Sequence, residues 1–109
     1  MSTEHFAPRL PAPIDVCGVR FTHASYDAGG DYLYLTKGVP LGPADGDTRE
    51  GHAVFLGEDN RVICVILNCP RWQLDRDGAI DVTLHAGGPT TRLARELVEP
   101  LLVETLSYA

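Results

Sequence analysis

Six apolar residues in a row, Val62-Ile63-Cys64-Val65-Ile66-Leu67, four of them β-branched, constrain this chain more than any other stretch. In an exposed helix such a run would leave no polar face, whereas a strand covered on both faces accepts it. The turn formers Glu58-Asp59-Asn60 stand before it and Pro70 follows it, so its length is that of a strand. Arg61 to Cys69 is therefore expected to be the central strand of a sheet, with other elements packed on both sides.

The remaining bulk properties bound the answer. A chain of 109 residues holds one core and needs no metal or disulfide staple to fold. Hydrophobic content of 44% and charged content of 22% exclude global disorder. The net charge of −6 repels nucleic acid and anionic membranes, so neither is an expected partner. No apolar segment approaches the roughly 20 residues that span a bilayer. The N-terminus carries Glu4 and three prolines in place of an apolar core, which does not read as a secretory signal, and a cytoplasmic location is expected. Cys64 and Cys69, five apart on one strand, point to opposite faces and cannot pair, so buried free thiols are expected.

Met1 to Pro13 is expected to be a flexible tail, because Pro8, Pro11 and Pro13 suit neither a helix nor a central strand; a single domain then fills residues 14–109. Val19 to Tyr26 alternates, with Val19, Phe21 and His23 on one face and Arg20, Thr22 and Ala24 on the other. Asp27-Ala28-Gly29-Gly30 turns the chain, and Asp31 to Lys37 returns with Leu33 and Leu35 opposite Tyr32, Tyr34 and Thr36. Gly38 to Gly51 is a loop of about 14 residues, long for a compact domain and expected to be mobile. His52 to Leu56 resumes as a strand.

Downstream, Arg71 to Asp75 reads as a further strand, Asp77-Gly78 as a hairpin turn, and Ala79 to Leu84 as a strand. In that strand Ile80, Val82 and Leu84 face inward and Asp81 and Thr83 outward. Thr90 or Thr91 is placed to cap a helix carrying Leu93, Leu97 and Val98, with Pro100 ending or kinking it. Leu101 to Tyr108 fits a short strand or a bent continuation of the helix, and the shared side of Leu102, Leu106 and Tyr108 favours the strand. The sum is an α+β, mostly β fold: a curved antiparallel sheet of about five to seven short strands with one C-terminal helix.

One segment adds a resemblance. Tyr26-Asp27-Ala28-Gly29-Gly30-Asp31-Tyr32-Leu33-Tyr34-Leu35 resembles the Tyr-Asp-x-x-x-Asp-x-Leu-Tyr-aliphatic opening of the small bacterial family called domain of unknown function 2283. The order that follows in that family, an acidic loop, an aliphatic strand, a turn and a second strand, is matched here as far as Asn68, so the likeness covers Phe21 to Asn68. Ile66 stands where the family's second strand carries a glutamate, and the chain from Cys69 onward exceeds the family's usual length. The resemblance implies a compact antiparallel sheet, an oligomer, and no established chemistry.

Polar side chains supply the candidate sites. Tyr26, Asp27, Asp31 and Tyr34 form the densest cluster. Two carboxylates across a turn suit a cation or an acid/base pair, but the simpler role is preferred: Asp27 caps the turn, Asp31 closes it, and the tyrosines pack on the sheet with wet hydroxyls. His5, His23, His52 and His85 with the three cysteines lack the paired spacing of zinc modules, so no metal and no cofactor is expected. Cys64, inside the apolar run, reads as inert. Gly87-Gly88-Pro89-Thr90-Thr91 lacks the lysine and the spacing of a phosphate loop. Trp72, the only tryptophan, fits a partner anchor or a plug at one end of the core, the plug slightly better.

Two function classes follow. The first is a small, soluble, non-catalytic interaction module that self-associates into a homo-oligomer or binds a protein partner, favoured because edges such as Tyr32 to Thr36 carry little charge. The alternative is a small-molecule-binding or catalytic domain with a pocket lined by Trp72, Tyr34, His52 and His85.

Overall fold

In the computed structural model, which describes residues 7–40 and 42–103, the apolar run is extended and interior. In chain order the strands are β1 (Arg9–Val16), β2 (Val19–Asp27), β3 (Tyr32–Thr36), β4 (Gly46–Asp47), β5 (Ala53–Leu56), β6 (Val62–Asn68), β7 (Ala79–Val82) and β8 (Thr91–Ala94). Helix α1 (Pro70–Asp77) joins β6 to β7, and α2 (Arg95–Val98) follows β8 and runs into a single 3-10 turn, Glu99–Leu101. A six-stranded antiparallel sheet has the order β1-β2-β3-β6-β5-β4, and β7 pairs with β8 in a separate hairpin. The fold is α+β and mostly β.

Register explains where the core sits. Leu33 pairs with Tyr26 and Leu67, and Leu35 with Ala24 and Val65, so one face of the large sheet is continuously apolar. Leu74 of α1, Ile80 and Val82 of β7, Leu93 of β8 and Val98 of α2 join this face in one cluster. Burial of each such side chain stabilises the fold by about 1.5–3 kcal/mol. Cys64 and Val65 are consecutive, so they face opposite ways, and both are 0% exposed. On the face away from the core Cys64 is buried but Ile66 is only half-buried, so the central strand is packed by other elements on one face and partly open on the other, where the sequence predicted elements on both.

Several elements depart from the expectation. The chain is already extended at Arg9, so much of the supposed tail is β1. Its prolines are tolerated because β1 is an edge strand of the sheet. The alternation in β2 also breaks: Phe21 and Ala24, three apart, both lie in the core, so the strand switches face at Thr22–His23, opposite a register shift in β1. The long loop is partly structured, since β4 pairs with β5 and the Asp45 carboxylate accepts the Leu56 amide at 2.8 Å.

Arg71 to Asp75 is helical rather than extended. Pro70 occupies the first turn, where its missing N–H costs nothing, and Gly78 closes the helix in the left-handed region at φ 75. Asp77-Gly78 is therefore a helix end and not a hairpin turn. Thr91–Ala94 is a strand where a helix was expected, and the helix that follows is four residues long. Leu101–Val103 forms no strand, while Leu106 and Tyr108 lie outside the described residues. Thr83, expected outward, is 3% exposed. All three cysteines are free, but Cys69 is exposed rather than buried, and Cys17 is half-buried.

Candidate functional site

The site is built on the turn between β4 and β5. Thr48 accepts the Gly51 amide through its carbonyl and the His52 amide through its hydroxyl, which folds residues 48–52 tightly. Two side chains of that turn then reach the outer edge of β7. Glu50 accepts the Thr83 amide at 3.1 Å and the Thr83 hydroxyl at 2.7 Å. His52 Nδ1 accepts the Asn68 amide at 3.1 Å, so Nε2 holds the proton and donates it to the Asp81 carbonyl, also at 3.1 Å. Side chains thus satisfy an edge that a strand would otherwise fill, and they fasten the hairpin to the large sheet.

His52 is 0% exposed, and burial lowers its pKa, against a smaller opposing effect of the Asp81 carbonyl and the Glu50 charge. For Glu50 burial acts upward, but the bonds from Thr83 prevail and hold its carboxyl below the usual range. Both groups are occupied by structural work.

Between this turn, α1 and β7 lies a groove of about 340 Å³, lined by Glu50, Trp72, Gln73, Arg76, Asp77, Ala79 and Asp81. Trp72 is 57% exposed and does not plug the core. One helical turn on, the Arg76 guanidinium lies 4.3 Å from the Trp72 ring centroid, and it binds the Asp77 carboxylate through both Nε and Nη2. That bond raises the Arg76 pKa and lowers that of Asp77. Gln73 donates to the Asn68 carbonyl at 2.8 Å, and Asp81 pairs with Arg92 at 3.1 Å. Every charged group of the groove already has a protein partner, and what it presents outward is a flat aromatic ring with a saturated polar rim.

The other sequence-chosen residues fall elsewhere. Asp27 caps its turn by accepting the Gly29 amide at 3.0 Å and the Gly30 amide at 3.3 Å. The Tyr26 hydroxyl is not left in water: it donates to Asp31 at 2.7 Å, and burial, together with that bond, raises its pKa. Asp31 also receives the Arg71 amide at 3.4 Å, and the Arg71 guanidinium, 5.9 Å from the Tyr26 centroid, donates to the Leu102 carbonyl. These residues tie the β2–β3 turn to α1 and to the chain after α2. Tyr34 pairs with Ile66, on the face opposite Leu33 and Leu35, and burial raises its pKa.

Of the four residues expected to share a pocket, Trp72 is in the groove, His52 is sealed behind it, Tyr34 is on the opposite face of the large sheet, and His85 is in a separate cleft beside β4. They do not converge. Among the described residues no group of three or more His, Cys, Asp or Glu could hold a metal ion. Glu50, Gln73, Arg76 and Asp81 were missed by sequence reasoning. The Trp72–Arg76 spacing of four would have announced a stacked pair had the segment been read as a helix.

Comparison with protein-family models, with curated proteins and with solved structures gives no significant match in any of the three. The likeness of Phe21 to Asn68 to the domain of unknown function 2283 family rests on the sequence pattern alone.

Proposed function

We propose that this chain is a small non-catalytic interaction module that docks through the groove beside α1 onto a protein surface, and that a second copy of itself is one such surface. The observation that carries this reading is the 57% exposure of Trp72, the chain's only tryptophan, beneath Arg76. Tryptophan and arginine dominate binding hot spots, and a ring held flat by a guanidinium loses little entropy on docking. The paired charges around it suit a polar rim, which excludes water without demanding a charged ligand. The acid and histidine candidates support a non-catalytic role, since Asp27, Asp31 and His52 are each held in structural bonds. Three free thiols favour a reducing compartment, hence the cytoplasm.

Sedimentation velocity from about 1 to 100 µM tests it, a range that brackets weak dimers. The expected result is a reversible dimer for the parent chain and a monomer for Trp72→Ala, whose near-ultraviolet and far-ultraviolet spectra confirm folding. A parent that stays strictly monomeric throughout, or a Trp72→Ala variant that dimerises equally well, overturns the reading.

A further inference from the structure

What can dock in the groove beside α1 is narrowed by the bonds its residues already make. A β-strand is a poor fit. On the outer edge of β7 the Asp81 carbonyl and the Thr83 amide are taken by His52 and Glu50, so an added strand finds no ladder to join. A charged ligand is not called for either, because Asp77 is bound to Arg76 and Asp81 to Arg92. What the groove has left over is donors. Among the described residues the Trp72 indole N–H has no hydrogen-bond partner, and Arg76 spends only Nε and Nη2 on Asp77.

We propose that the groove binds an extended, uncharged partner segment in the polyproline II conformation, with a prolyl ring lying on Trp72; this rests on the docking role of the groove and names its partner. A polyproline II segment makes no internal hydrogen bonds, so its carbonyls accept what Trp72 and Arg76 have to donate. The prolyl ring is compact and apolar, and its φ is fixed before binding, so little entropy is lost on docking. Arg76 covers one face of the Trp72 ring at 4.3 Å, and at 57% exposure the remainder of the residue is open to a ligand. Dimensions agree. At about 30 Å³ per water, the 340 Å³ groove holds roughly eleven waters, room for about two or three extended residues. Trp72 and Arg76, four apart, are separated by about 6 Å along α1, and two polyproline II residues at about 3.1 Å each cover the same distance. A helical partner, about 10–12 Å wide, seats a row of apolar anchors, whereas Trp72 is the one exposed large apolar side chain among the described lining residues.

Trp72 is the only tryptophan, so its fluorescence reads the groove alone. The test titrates the full chain with capped hexaproline, and with a capped glycine–serine hexapeptide that offers the same carbonyls without prolyl rings. Hexaproline is expected to shift the Trp72 emission to the blue and to saturate, with a dissociation constant on the order of 1 mM, the strength that about two contacted residues supply. In ¹H–¹⁵N spectra the Trp72 indole cross-peak and the amides of Gln73 and Arg76 should move together. The glycine–serine peptide should move none of them. Trp72→Phe keeps an aromatic face but loses the N–H donor, and the Gln73 and Arg76 amides should report binding about fivefold weaker. Trp72→Ala, folded by its far-ultraviolet spectrum, should not bind. Equal affinity for the two peptides, no saturable change by about 20 mM hexaproline, or undiminished binding by Trp72→Ala overturns the proposal. Its failure is distinguishable from failure of the self-association reading. A chain that dimerises through Trp72 yet gives no saturable change with hexaproline keeps the docking role and loses this ligand, whereas a strict monomer that binds hexaproline through Trp72 keeps the ligand and loses the dimer.

Discussion

His52 accepts one backbone amide and donates to one backbone carbonyl, and it can do both only as neutral imidazole. A proton added at Nδ1 would face the Asn68 N–H, so protonation and the native structure exclude each other at this site. The pH consequence has a definite sign. The folded pKa is depressed below the ordinary value of 6.5, so below that pH the unfolded chain takes up a proton that the folded chain refuses. Stability contributed by His52 is thus complete above about pH 6.5 and falls as the pH drops toward the folded pKa. Urea unfolding between pH 7.5 and 5 should show this as a slope of at most about 1.4 kcal/mol per pH unit, one proton's worth. In His52→Gln that slope should be shallower and the stability lower at pH 7.5, while an unchanged slope would refute the assignment. Glu50 adds a second, lower window: its pKa is also depressed, so its contribution is lost as the pH falls below the ordinary carboxylate value. Thiols read the same way at residue scale. Burial pushes the Cys64 pKa up to about 12, and Cys69 is exposed. A thiol-exchange reagent at pH 8 should therefore label one site quickly in the native protein, and Cys69→Ser should abolish that fast phase; rapid labelling of Cys64 would contradict its burial.

At the scale of elements, α1 was visible in the sequence but misread. Pro70 and Gly78 frame eight residues in the order that favours a helix start and a helix end. Yet within those eight only Pro70 and Leu74 are buried, so there was no apolar periodicity to set against a strand. The opposite error occurred at Thr91–Ala94: Leu93 and Leu97 have helical spacing, but Leu97 is 43% exposed and only Leu93 enters the core. Strands β2, β3, β5, β6 and β7 were legible because alternation or continuous apolarity marks them locally, whereas the groove was not. Its lining comes from the β4–β5 turn, α1 and β7, and only the packed hairpin brings Glu50 within 3.1 Å of the Thr83 amide. Gly78 provides a direct check on what ends α1. A Cβ added there meets nothing within 4 Å, so the cost of Gly78→Ala is the left-handed backbone alone. Thermal or denaturant unfolding should give a loss of about 1 kcal/mol. A neutral or stabilising result would mean that the helix does not require that conformation.

For the whole molecule the question is how eight strands avoid pairing without limit. Strand β3, which sequence reasoning treated as an edge, lies between β2 and β6, so an argument for oligomers from its low charge no longer applies. The true edges of the large sheet are β1 and β4. Strand β4 is two residues long and ends in an acid, and the outer edge of β7 is filled by Glu50 and His52. Strand β1 is the long one, at eight residues, and its protection is covalent: Pro11 and Pro13 remove two N–H groups from a segment that neighbouring chains could otherwise extend. The self-association proposed for the α1 groove would close on itself as a dimer, whereas association through an unprotected β1 would be open-ended. The two are separable. Replacing both prolines with threonine should leave α1 and the core intact, since Pro11 and Pro13 are exposed. Light scattering of Pro11→Thr/Pro13→Thr should show species larger than a dimer that grow with concentration, and Trp72→Ala added to that background should not remove them. If the double variant sediments like the parent, the prolines are not what guards the edge, and the twist imposed by the register shift between Arg9 and Ile14 must do so instead.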